Sequence, residues 1–210
     1  MANKNKKTQI QQANQRRMKQ QQYDAATKRL FIFPCIALGL GVIALLLYLI
    51  PFSEVYLDGY GPEHYVTGWE WIVACLSGNY SSPHIARGSM SEIFYFFATD
   101  WCEPLAILTL LSALVLILNA VVQLITIVRK MHILNAVSAV LSLLAVVLLI
   151  VAYAKGLDMK NARILSDFCQ NNPLCSIKSY AIIPAIFSIG ACTVSAFAAV
   201  KHFKLSALLK

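Results

Sequence analysis

The sequence predicts an all-α membrane protein, a bundle of four transmembrane helices with a small extracytoplasmic α/β cap built from the first outer loop. Three observations carry this. Apolar residues make up 58% of the 210 positions and charged ones 13%, with a mean hydropathy of +0.62, proportions foreign to a soluble enzyme or a secreted disulfide miniprotein. Four runs of spanning length contain no Asp, Glu, Lys or Arg. The basic residues gather on alternate connections between those runs.

A hydrocarbon core of about 30 Å needs roughly 20 apolar residues of helix. The chain supplies such runs at 30–50, 105–128, 131–154 and 181–200. Runs of this length read as helices, because a barrel strand is shorter and alternates. The first run is read as a retained helix and not a signal peptide: Pro51, Phe52, Ser53 and Glu54 follow it in place of a small-residue cleavage site.

Thirteen Lys and Arg residues lie in the tail 1–29, the turn at Arg129 and Lys130, and the tail 201–210, against five in the connections 51–104 and 155–180. The positive-inside rule therefore predicts a multi-pass protein of the cell membrane with both termini cytoplasmic. With acids included, the inner side carries +12 and the outer side −4, which together give the net +8. The charge thus reports orientation, and no nucleic-acid partner is expected.

The tail 1–29 holds seven Gln among its basic residues and few apolar ones, and is expected to be disordered, or helical only against a surface. Arg16, Arg17, Lys28 and Arg29 are its candidates for facing anionic lipid.

The loop 51–104 is too long for a plain connector and is expected to form the cap. It is acidic and aromatic, and Trp69, Glu70, Trp71 and Trp101 are its candidate interaction residues, with cap core or headgroup anchoring as the other reading of the aromatics. Tyr65, Thr67, Trp69, Trp71 and Val73 alternate as in a strand, while Trp69, Ile72, Val73 and Leu76 also fit one helical face; Ser77 and Gly78 end either. Ser89 and Glu92 have capping-box spacing ahead of a short helix over 93–98. Asn79-Tyr80-Ser81 matches a glycosylation acceptor.

Cys75, Cys102, Cys169 and Cys175 lie in the outer connections, where an oxidising exterior permits three pairings; Cys75 with Cys102 and Cys169 with Cys175 are the simplest. Cys35 and Cys192 lie in spans as small packing residues. His64 beside Glu63, and His84, have no metal-ligand spacing, so neither metal nor cofactor is expected.

Within the second run Thr109, Ser112, Asn119, Gln123 and Thr126 share a face, as do Asn135, Ser138, Ser142 and Ala145 in the third. About the turn at Arg129, Gln123 and Asn135 come to similar depth and are expected to bond across the hairpin. Asn119, Gln123, Asn135, Ser138 and Ser142 are the candidate interhelical contacts; lining a polar permeation path is their alternative role. Ala181, Ala185, Ser188, Cys192, Ser195 and Ala199 form a seam on the fourth run, as do Ala37 and Gly41 on the first.

Four spans, a long first outer loop bearing Thr67, Gly68, Trp69, Glu70 and Trp71, a short inner turn and a smaller second outer loop resemble the claudin-like four-helix membrane proteins and their bacterial relatives over 30–200. Gly68-Trp69-Glu70-Trp71 and Cys75 stand where claudins carry a tryptophan, a Gly-Leu-Trp and two cysteines. The resemblance implies a left-handed bundle capped by a small outer sheet, and a role in adhesion, assembly or as an accessory subunit.

The expected function is a non-enzymatic membrane scaffold or accessory subunit, embedded in the lipid bilayer, whose cap contacts a membrane-protein partner or a second copy. A small-solute pore or transporter component is one alternative. Another is a membrane thiol-disulfide oxidoreductase, since cysteine pairs in both outer loops look like the quinone-coupled oxidases of the DsbB kind, which use a Cys-x-x-Cys. That spacing does not occur in this sequence.

Overall fold

The computed structural model describes residues 2–56, 64–78, 103–158 and 176–207. In chain order the elements are α1 (Ala2–Leu30), α2 (Ile32–Leu46) with a 3-10 turn at Leu47–Leu49, β1 (Pro51–Tyr56), β2 (His64–Thr67), α3 (Gly68–Ser77), α4 (Glu103–Arg129), α5 (Leu134–Asp158), β3 (Ser176–Ser179) and α6 (Ile182–Ala207). Four helical segments are long and apolar enough to cross a membrane, Arg17–Leu49, Glu103–Arg129, Leu134–Asp158 and Ile182–Ala207. This is the architecture of a multi-pass membrane protein.

The bundle's packing is inside-out relative to a soluble domain. Ser138 and Ser142 are 0% exposed, while Val140 between them is 67% exposed. In water that arrangement would waste the apolar surface and bury the polar one; in lipid it is the favourable one. The buried positions recur at spacings of three and four on every span: Pro34, Ala37, Gly41, Ala44 and Tyr48 on the first, and Asn135, Ser138, Ser142, Ala145, Leu149, Ala152 and Gly156 on α5. A strict 3-4 alternation keeps one seam facing the neighbours. Small side chains on it let backbones approach where no hydrophobic effect draws helices together. Helix α2 packs on α4 and α6, and α5 packs on the same two, closing a four-membered ring.

The boundaries of the spans differ from the apolar runs for local reasons. Pro34 has no N–H to offer the carbonyl of Leu30, so α1 and α2 part at Phe31. Pro51 pushes Ile50 out of the helical region, and Ile50 is extended at ψ 161°. Between α4 and α5, Lys130 adopts φ 55°, and the chain makes three-residue turns, Leu134 N–H to Met131 O at 2.9 Å among them, before α5 begins at Leu134 and not at Met131. Helix α6 runs past Val200 to Ala207 because Lys201-His202-Phe203-Lys204 holds no breaker, and Lys204 in the last turn suits the helix dipole.

The tail, expected to be disordered or helical only against a surface, forms a helix from Ala2 to Leu30: it has neither Gly nor Pro, and Gln, Lys, Arg and Ala are good helix formers.

At the end of the bundle opposite the α4–α5 turn lies a three-stranded sheet in the order β2-β1-β3. Both pairings are antiparallel, with Glu54 opposite Tyr65 and Lys178 and an irregularity between Pro51 and Ser53. Strand β3 comes from the second long connection, so the first loop does not build the sheet alone. Helix α3 follows β2 directly. One core runs through both parts, from Ala113, Leu116 and Leu149 in the bundle to Phe52, Val66, Trp71 and Ile72 beneath the sheet and α3.

The expected helix over 93–98, the Asn79 acceptor, His84, Trp101, Cys102, Cys169 and Cys175 lie outside the described residues.

Candidate functional site: the polar interior and helix α3

Five polar side chains tie α4, α5 and α6 together at mid-bundle. The Ser138 hydroxyl donates to Asn119 Oδ1 at 2.6 Å, and Asn119 Nδ2 donates to Ser142 Oγ at 3.1 Å. Gln123 Nε2 donates to Ser195 Oγ at 2.9 Å and to Ser138 Oγ. Ser195 and Ser138 hydroxyls are 3.2 Å apart. With its one proton committed to Asn119, Ser138 accepts from Gln123 and Ser195, which uses its full hydrogen-bonding capacity. All five residues are 0–1% exposed. Gly41 on α2 faces this cluster, where a Cβ would lie 3.9 Å from Asn119 Nδ2.

The expected bond between Gln123 and Asn135 is not formed. Gln123 reaches Ser138 and Ser195 instead, and both amide atoms of Asn135 are buried without a partner, as is Gln123 Oε1. The turn is longer than two residues, so the depth-matched partner on α5 shifts one helical turn, from 135 to 138. Asn119, Gln123, Ser138 and Ser142 do meet. Ser195 joins from the α6 seam, and nothing in the α4–α5 pattern pointed to it.

A second contact ties α2 to α4. Tyr48 Oη and Ser112 Oγ are 2.6 Å apart and buried. Since Ser112 spends its proton on the Thr109 carbonyl at 2.8 Å, Tyr48 is the donor. The sequence signal was a lone hydroxyl at the end of an uncharged run.

Helix α3 resolves the two readings of Thr67 to Val73. Alternation as a strand would put Trp69 and Trp71 on one face; a helix puts them on opposite faces. Trp71 is 0% exposed in the core and offers nothing to a partner, while Trp69 is 56% exposed. Val73 and Leu76, four and seven residues on from Trp69, are exposed as well. Glu70 is committed locally: its Oε2 accepts from Thr67 N–H at 2.8 Å and from Thr67 Oγ1 at 3.0 Å, and Glu70 N–H returns a bond to Thr67 Oγ1 at 3.2 Å. This is a capping box, and its sequence signal is the spacing Thr67-x-x-Glu70. Gly78 closes the helix at φ 63°, a left-handed C-cap that suits glycine.

Among the described residues Cys75 on α3, Cys35 and Cys192 are free thiols; the expected partner of Cys75, Cys102, lies outside the described residues. Cys192 Sγ lies 3.4 Å from the Ala139 carbonyl, across the α5–α6 seam. Among the described residues no three His, Cys, Asp or Glu side chains converge as a metal site would require. Arg17, Lys28 and Arg29 are exposed on α1, which also carries Arg16. No family model matches the chain, and neither a curated protein nor a solved structure matches it.

Proposed function

We propose that the protein is a membrane scaffold or accessory subunit that sits in the cell membrane with both termini cytoplasmic and contacts a membrane-protein partner through the outer end of its bundle. The observation that carries this reading is the division of α3. Trp71, Ile72 and Ala74 fasten the helix to the core, leaving Trp69, Val73 and Leu76 as an exposed apolar row on a rigid support. A tryptophan held on an anchored helix, flanked by apolar side chains, is the kind of residue that interface centres use. Asn119, Ser138, Ser142 and Ser195 are meanwhile spent on holding the bundle's helices together.

Mild detergent extraction with crosslinking tests it. A partner, or a second copy, should co-purify with the wild-type chain and be lost from Trp69→Ser and Leu76→Ser. A chain that purifies alone, and crosslinks identically in both variants, overturns the reading.

A second reading, a pore or carrier component for a small solute, is favoured by the unpaired Gln123 Oε1 and Asn135 amide inside the bundle. It predicts liposome flux that changes with Asn119→Leu or Gln123→Leu; flux indifferent to both removes those residues from any path.

A further inference from the structure

At the hairpin end, a cavity of about 560 Å³ opens between α1 and the α4–α5 turn, lined by Asp24, Thr27, Lys28, Phe31, Lys130 and His132. Three features set it apart from an ordinary surface hollow. His132 is 4% exposed, yet its Nδ1 has no hydrogen-bond partner, and neither has the buried Thr27 Oγ1. Buried polar atoms left unpaired are costly, and each calls for a water, an ion or a functional role to account for it. Two exposed lysines, Lys28 and Lys130, stand on opposite walls, and neither makes an ion pair among the described residues. Lys130 moreover holds a left-handed backbone at φ 55°, a conformation that costs a residue with a Cβ and that recurs at binding sites.

We propose that this cavity holds the phosphate of a phospholipid headgroup, with the Lys28 and Lys130 ammonium groups as charge partners and Thr27 Oγ1 and His132 Nδ1 as hydrogen-bond partners. Two ammonium groups with neutral donors between them are suited to a phosphodiester. The Asp24 carboxylate, which accepts from Gln20 Nε2 at 3.4 Å, opposes a bare multiply charged phosphate but tolerates a singly charged diester, and offers an acceptor to a headgroup amine. Phe31 gives an apolar wall at the α1–α2 junction, where the span Arg17–Leu49 changes from its charged to its uncharged half. That is where a headgroup meets its acyl chains. This site is independent of the partner reading above, since it lies at the opposite end of the bundle.

The test uses the full chain in a neutral detergent with four probes: dioctanoyl phosphatidylglycerol, dioctanoyl phosphatidylethanolamine, dioctanoylglycerol, which lacks phosphate, and inorganic phosphate. Binding is read by native mass spectrometry and by titration. One or both phospholipids should bind, dioctanoylglycerol should not, and Lys28→Gln or Lys130→Gln should weaken binding about tenfold, the size of one lost charge-assisted contact. Lys204→Gln, an exposed charge on α6 outside the cavity, should leave it unchanged. If Lys130→Gln does not fold, Lys130→Gly removes the charge while suiting the left-handed backbone. Inorganic phosphate binding with the same lysine dependence, and no preference for lipid, assigns the phosphate site to a soluble source. Equal binding of dioctanoylglycerol, an equal loss in Lys204→Gln, or no binding of any phosphate probe overturns the proposal.

Discussion

Ser138 Oγ lies 2.6 Å from Asn119 Oδ1, and that one contact orders the polar interior of the bundle. By donating there, Ser138 becomes an acceptor for Gln123 and Ser195, so three helices depend on one hydroxyl. Ser138→Ala should therefore lose about 1–3 kcal/mol, because buried amide and hydroxyl groups are left unpaired. Ser142→Ala, which removes a single acceptor of Asn119 Nδ2, should lose about 0.6 kcal/mol, the average for one interhelical bond in a membrane. Reversible unfolding in mixed micelles measures both; equal losses would show that Ser138 is not the centre of the network.

Much of this was legible in the sequence, and the boundary of what was legible is physical. Asn119, Gln123, Ser138 and Ser142 could be found because a helix repeats every 3.6 residues, so polar residues spaced by three and four must share a face. Which of them pair could not, because pairing depends on the length of the turn, and Lys130 in a left-handed conformation adds residues that no apolar count reveals. Strand β3 escaped for a similar reason: Ser176-Ile177-Lys178-Ser179 is too short to alternate convincingly and is specified by its pairing with β1. Trp69 and Trp71 were found as a pair, but only the choice of helix over strand separates them into an exposed residue and a core residue.

The Tyr48 and Ser112 pair should behave asymmetrically. Tyr48→Phe removes a donor and leaves Ser112 still bonded to the Thr109 carbonyl, a loss of about 0.5–1.5 kcal/mol. Ser112→Ala strands the buried Tyr48 hydroxyl and should lose more. The double variant should be more stable than the two single losses added together predict. Additive losses would mean that the two hydroxyls are not coupled.

Gly68 and Gly41 should answer differently to alanine. A Cβ at Gly68 would sit 2.9 Å from the Phe52 ring, whereas one at Gly41 meets its nearest neighbour, Asn119 Nδ2, at 3.9 Å. Phe52 is 1% exposed and has little room to yield. Gly68→Ala should lose about 1–3 kcal/mol through overpacking, and thermal unfolding in detergent should show Gly41→Ala close to wild type. Glu70→Ala, which opens the capping box, should lose about 1 kcal/mol without creating any clash.

His132 should make the hairpin end acid-sensitive. Burial, and then the neighbouring His202 at 5.8 Å between ring centroids, hold its pKa below the ordinary 6.5. The charged groups around it are Lys130 on its own turn and Asp24 and Lys28 across the cavity. In the folded chain the ring therefore stays neutral at a pH where the unfolded chain's ring is already taking up a proton. The unfolded state then binds more protons, and stability rises with pH. This contribution is fully present above about pH 6.5, the unfolded value, and is lost as the pH falls below it. Melting temperatures in a neutral detergent at pH 7.5 and 5.5 should thus fall more steeply for the wild type than for His132→Gln, and His202→Gln should lie between them. An identical slope in His132→Gln would place the acid sensitivity elsewhere in the chain.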